Sequence, residues 1–263
     1  MNPIAEFVWI AAPAAALVVA CALLVPLGAE VLRRGVVFID LAVAQVAALG
    51  VLLATIGMEG TTAAGTTLAA VAASLLGAAL VWWLARRWPG QREALIGLVY
   101  VASSAAAVVV VASDPHGRER LAALLAADVL WVSWPAVSTL ATVTLVGACL
   151  LVWRRALLRR DAVFYPAFAI ALAVSVQSLG LYLVFALLIG PALWTLRGYR
   201  LRVAIFAGVV ACLGGLAVSW ALDAPSGACV AVALCGLGLL SVCVSGTTRA
   251  VNQSKGGPKA PLK

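Results

Sequence analysis

The 263-residue chain is poor in the side chains that soluble enzymes rely on. It has one histidine, His116, and its only lysines are Lys255, Lys259 and Lys263 in the terminal stretch. A GxxxxGK[ST] phosphate loop needs a lysine, so ATP hydrolysis by that machinery is excluded. HExxH and GxSxG are also missing, which argues against an intramembrane hydrolase. The six cysteines (Cys21, Cys149, Cys212, Cys229, Cys235, Cys243) lie in apolar stretches with no CxxC spacing. They suggest neither a zinc knuckle nor a disulfide framework, and read as small buried apolar residues. Charge is scarce as well: 11% of residues are charged, against 65% apolar, with a mean hydropathy of +1.11. A soluble domain carries about a quarter charged residues, so this composition requires a membrane. At about 20 residues per crossing the length allows roughly eight to ten spans and no sizeable soluble domain. Met1 to Phe7 holds no basic residue, so the first apolar stretch is expected to stay as a span rather than be cleaved.

Apolar runs between breaks predict spans near 7–28, 36–57, 62–85, 94–112, 131–153, 203–222 and 227–245, with a longer stretch over 162–196. Lipid offers no partner to bare peptide groups, so these are expected to be helices. Closely spaced Gly and Ala, as in Gly77 to Ala79 and Gly208 to Gly215, permit tight helix packing.

Fifteen arginines and three lysines against ten acids give a net charge of +8. In a membrane protein such an excess reads as the loop bias toward the cytoplasm rather than as a nucleic-acid surface. The basic residues gather at Arg33–Arg34, Arg86–Arg92, Arg154–Arg160, Arg197–Arg202 and Arg249–Lys263. Connections near Glu59 and Asp223 have none and, with the N-terminus, are expected to face outward. If Arg154–Arg160 and Arg197–Arg202 share one side, residues 162–196 must enter and return. Gln177, Ser178 and Gly180 sit mid-stretch, where a short hairpin turns at the outer surface or as a re-entrant pair in a protein-lined cavity. The tail from Thr247 to Lys263 is polar, basic and marked by glycine and proline, which predicts disorder and contact with anionic lipid.

A carboxylate inside the apolar layer is expensive unless it faces a cavity or a partner. Asp40 is such a residue, and two readings stay open: an ion pair with Arg33 or Arg34, or a place on a polar path. Gln45 follows five residues later, about 140° around the helix, so the two do not form one bidentate pair. For Gln45 and Gln177 a plain hydrogen bond between helices is the favoured reading over a place on the path. His116 lies in Asp-Pro-His-Gly, a turn sequence, where a lone imidazole beside Asp114 makes only a weak metal site. Arg118 to Trp134 reads as an outer interfacial helix with an aromatic anchor. Glu30 and Glu93 adjoin arginines, and loop ion pairs are expected for both.

Five segments carry a family resemblance: Leu27–Gly50 (LGAEVLRRGVVFIDLAVAQVAALG), Arg92–Tyr100 (REALIGLVY), Leu124–Trp134 (LLAADVLWVSW), Gln177–Ala192 (QSLGLYLVFALLIGPA) and Asp223–Ala231 (DAPSGACVA). In this order they make the chain resemble the membrane permeases of zinc, manganese and iron-type metal ABC transporters. The resemblance implies a homodimer with the path between its copies, a separate cytoplasmic ATPase, and an external metal-binding protein. It would explain the missing phosphate loop. The second span of such permeases carries an Asp and a His one turn apart; here Gln45 stands at the histidine position and Asp40 is displaced by one residue. A neutral amide is a weaker ligand than imidazole, which points to transient passage rather than tight coordination. Relatives also carry a segment like FDPEFARALG after the fifth span, which docks on the ATPase. Phe164 to Ala169 only echoes it, so the basic stretch Arg154, Arg155, Arg159 and Arg160 becomes the expected ATPase contact.

The expectation is thus an all-α polytopic bundle of about eight or nine membrane helices, with a single permease domain over 1–246 and a basic cytoplasmic tail over 247–263. It is multi-pass in a bacterial inner membrane, N-terminus outside and C-terminus in the cytoplasm, surrounded by lipid and free of nucleic acid. It has no resident cofactor and no enzymatic activity of its own, and its cargo is a divalent metal ion. Asp40 and Gln45 would line the path and Asp128 the outer mouth. An ion-coupled secondary transporter and a transport-incompetent scaffold are the competing readings.

Overall fold

A computed structural model describes residues 3–35, 38–57, 62–125, 129–153 and 160–255. Among the described residues eleven α-helices follow one another, with two short 3-10 turns and no strand. They are α1 (Pro3–Arg34), α2 (Ile39–Gly57), α3 (Ala63–Arg87), α4 (Arg92–Val111), α5 (Gly117–Leu125) and α6 (Trp134–Trp153). Then come α7 (Asp161–Leu179), α8 (Leu181–Ile189), α9 (Leu193–Leu196), α10 (Leu201–Leu222) and α11 (Ser226–Lys255). Among the described residues six segments are long and apolar enough to cross a membrane: Ile10–Arg34, Ile39–Gly57, Ala64–Arg87, Pro89–Val111, Asp161–Leu179 and Leu201–Leu222. Trp134–Cys149, Leu181–Leu196 and Ser226–Ser241 are shorter apolar helical stretches. The protein is a polytopic helix bundle.

Helix ends depart from the apolar runs for local reasons. α1 continues through Pro13 and Pro26 to Arg34, well past the expected end near 28. Inside a membrane bundle neighbouring helices tolerate the lost N–H groups, so proline does not mark a span's end there as it does in water. α3 begins at a conventional cap, with Thr62 accepting the Gly65 N–H through its side chain at 3.2 Å. α11 runs from Ser226 to Lys255.

The stretch 162–196 does turn back on itself. Leu172 of α7 and Leu181, Val184 and Phe185 of α8 line one narrow cleft. A continuous helix would hold positions 172 and 185 about 20 Å apart. The reversal is made at Gly180, whose φ of 80° and ψ of 159° belong to a region that only glycine enters readily. Leu179, Gly180 and Leu181 are buried, so the turn is lined by protein rather than laid on a surface.

α8 occupies the middle of the bundle, packed against α1, α11 and α7 and touched by α5. Leu181, Leu183, Val184, Ala186, Leu187 and Leu188 are all buried. Backbone approach makes this possible. A Cβ on Gly28 of α1 would overlap the Leu188 carbonyl, and one on Gly190 would stand 2.5 Å from the Leu234 oxygen of α11. Small residues thus let α1 and α11 close on α8 where lipid supplies no hydrophobic drive for them to associate.

Membrane helices are apolar on their outer faces too, and this corrects the reading of the cysteines. Cys21 and Cys212 are buried, with their sulfurs 3.7 Å apart. Cys149, Cys235 and Cys243 are exposed and Cys229 is half-buried.

Candidate functional site

Asp40 stands in the first turn of α2, where the helix dipole favours a negative charge. Its Oδ1 accepts the Leu41 N–H at 2.9 Å. The residue is only 2% exposed, and its Oδ2 is buried with no hydrogen-bond partner among the described residues. Around it lie Leu41 and Ala44 of its own helix and Leu172, Leu181, Val184 and Phe185 of the α7–α8 hairpin, in a cleft too narrow to admit a water molecule. An orphaned carboxyl oxygen in apolar surroundings costs roughly 1–3 kcal/mol or more, and a chain gains nothing structural from keeping it.

The arginines that might have neutralised Asp40 are engaged elsewhere. Arg33 pairs with Glu30, three residues before it. Arg34 bonds Glu30 through Nε at 3.2 Å, reaches Asp161 at the start of α7 through Nη1, and lays its guanidinium 3.9 Å over the Phe164 ring. This node ties the end of α1 to the beginning of α7. Sequence reading missed it because its members are 127 residues apart, and only the abundance of charged residues near each helix end hinted at it. Glu30 forms the ion pair expected of it; Glu93 forms none among the described residues.

Gln45 is also buried, at 4% exposure, one helical turn beyond Asp40 and on a different face of α2. Gln177 bridges helices, accepting the Thr67 hydroxyl of α3 at 2.9 Å. Arg160 is described and exposed at the N-cap of α7, whereas Asp128, Arg154, Arg155 and Arg159 lie outside the described residues.

The loop around His116 is a turn held by its own side chains. Asp114 accepts the His116 N–H at 3.3 Å and pairs with Arg120 at 3.2 Å, while the His116 ring lies 3.7 Å from Glu119. Arg120 also donates to the Thr55 carbonyl at the end of α2, fastening α5 to the bundle. No cluster of three or more His, Cys, Asp or Glu occurs among the described residues. The chain therefore offers no ready cage of strong ligands there. Among the described residues Asp40 offers a buried carboxyl without an ion-pair partner, closed off by a hairpin that turns on a glycine.

Two solved structures share this fold. PsaBC from Streptococcus pneumoniae, in complex with Fab, superposes with a TM-score of 0.70 at 17% identity, covering 90% of this chain and 92% of that one. An inward-facing conformation of a protein described as a metal-chelate type ABC transporter superposes with a TM-score of 0.58 at 18% identity, covering 99% and 83%. No curated protein matches the sequence. The profile of the ABC 3 transport family matches residues 5–164 and 157–245, nearly the whole chain. With its multi-pass helical bundle, this chain belongs to the ABC 3 transport family of membrane permeases.

Proposed function

We propose that the chain is the membrane subunit of an importer for a divalent metal ion, zinc, manganese or iron, working by alternating access. The buried, unpartnered carboxyl of Asp40 carries this reading, because a bundle that must pass a cation has a use for a negative charge that the fold does not need. Asp40 attracts the cation and Gln45 offers a weak oxygen ligand on the next turn. Asp128 belongs near the outer mouth. Few strong ligands suit a cargo that must leave again.

The energy comes from a partner. A cytoplasmic ATPase docks on Arg154, Arg155, Arg159 and Arg160, and an external metal-binding protein delivers the ion. The named neighbours, one a PsaBC complex and one a metal-chelate type ABC transporter, support this division of labour. The working unit is a homodimer in the bacterial inner membrane, embedded in lipid. Its N-terminus faces outward, its C-terminal tail is cytoplasmic, and it needs neither a resident cofactor nor nucleic acid. ATP binding shifts the bundle between two arrangements, and the cation feels the difference in contacts around Asp40.

Metal uptake by cells carrying Asp40→Ala or Asp40→Asn, at matched expression, tests the role. Uptake falling by tenfold or more is expected; unchanged uptake removes Asp40 from the path.

A further inference from the structure

The corner where α3 gives way to α4 joins an exposed apolar stripe to a pair of stacked arginines. Down the outer side of α3 run Leu68, Leu76, Leu80 and Trp83, exposed by 70, 72, 45 and 53%. Positions 76, 80, 83 and 87 fall within about 60° of one another around a helix, so Arg87 ends the same stripe. Beyond it the chain makes the 3-10 turn Pro89–Gln91 before α4 starts. Nothing lies within 4 Å of where a Cβ on Gly90 would be, which leaves the corner open.

Two guanidinium groups are held there on indole faces. Arg86 sits 5.0 Å over the Trp82 ring and Arg87 5.3 Å over that of Trp88, while Trp83 and Trp88 meet edge to face at 5.7 Å. Stacking occupies the flat side of a guanidinium and leaves its in-plane N–H groups for phosphate oxygens. Neither arginine forms an ion pair with an acid among the described residues. Leucines at acyl depth, indoles at the interface and two uncompensated cations beyond them follow the order of a phospholipid's own parts.

We propose that this corner binds the phosphate of an anionic phospholipid, with Arg86 and Arg87 on the headgroup, Trp83 and Trp88 beside the glycerol region, and Leu76 and Leu80 against an acyl chain. The inference rests on the chain's spanning a membrane and is independent of what it transports. The anionic headgroup is favoured over a zwitterionic one because the two stacked guanidiniums outnumber the single carboxylate near the corner, Glu93 in the first turn of α4. The α4 helix continues from the corner and packs on α2, the helix that carries Asp40, so a lipid held there steadies the wall of the candidate path.

Native mass spectrometry of the full chain, titrated with phosphatidylglycerol or phosphatidylcholine in neutral detergent, tests the proposal. Wild type is expected to retain phosphatidylglycerol preferentially. Arg86→Gln with Arg87→Gln is expected to weaken that retention by tenfold or more, since a basic residue near an anionic surface contributes about fivefold. Trp83→Leu with Trp88→Leu, which keeps both charges, is expected to weaken it less, and all variants keep the wild-type melting temperature. The proposal is overturned if the arginine pair leaves retention unchanged or if both lipids are held equally. Two other results also overturn it: Arg197→Gln with Arg200→Gln costing as much, which means net charge alone is sensed, or inorganic phosphate displacing the lipid at low concentration, which means a free-anion site. Loss of a bound ATPase from the arginine variant with lipid retention intact assigns the corner to protein docking instead and overturns it too.

Discussion

Replacing Asp40 by Asn separates a residue kept for function from one kept for the fold. The amide retains the oxygen that accepts the Leu41 N–H at 2.9 Å, fills the same space in the α7–α8 cleft, and removes only the capacity for negative charge. At 2% exposure, with Oδ2 unpartnered, the charged carboxylate carries a desolvation cost of several kcal/mol that the helix N-terminus offsets only in part. The amide nitrogen is left without a partner too, at about 1–3 kcal/mol. The variant is therefore expected to gain roughly 1–3 kcal/mol of stability, which raises the melting temperature of a chain of this size by roughly 2–10 °C. A thermal melt of the purified protein in a fixed detergent reads this directly, beside metal uptake measured on the same variant. Stability rising while uptake falls is the predicted pair. A melting temperature that drops by several degrees would mean that the carboxylate is held by a partner and is structural, and the reasoning from its isolation would be refuted.

Three further outcomes follow from the packing. Gly28→Val forces a side chain into the Leu188 carbonyl, where both sides are backbone, and is expected to cost about 1–3 kcal/mol or more, seen as a lower melting temperature; Gly97→Ala, which has open space around it, is expected to be neutral or slightly stabilising. Gly180→Ala places a Cβ on a backbone with φ of 80° and is expected to cost roughly 1–3 kcal/mol, with proteolysis near the α7–α8 turn as a second readout. Arg34→Ala removes the bonds to Glu30 and Asp161 and the stacking on Phe164, and is expected to lower stability by about 1–3 kcal/mol, with Arg34→Lys intermediate because an ammonium lacks the planar fork. If Lys and Ala melt alike, the guanidinium geometry is not what joins α1 to α7.

Much of the architecture could be read from apolar run lengths alone, because lipid leaves a chain so few ways to satisfy its backbone. The apolar stretch 162–196 was too long for one simple crossing, and Gly180 marks where the chain turns within it. What could not be read was which side of each helix faces inward. In water a helix declares its core face by polarity, but here leucine is at home on both sides, as exposed Leu68 of α3 and buried Leu187 of α8 illustrate. The cysteines were misjudged for the same reason. Asp40 stood out because charge in an apolar span is rare, yet its two readings could not be separated while the partner of Arg34 lay at Asp161, far along the chain.

The most direct test of the central claim is uptake of radioactive or fluorescent-reported zinc, manganese and iron into proteoliposomes containing this chain, with and without its ATPase and metal-binding protein. The account predicts ATP-dependent accumulation of at least one of these ions only when all three components are present. Uptake by the chain alone, driven by an imposed proton gradient, would contradict it and make Asp40 a proton carrier instead.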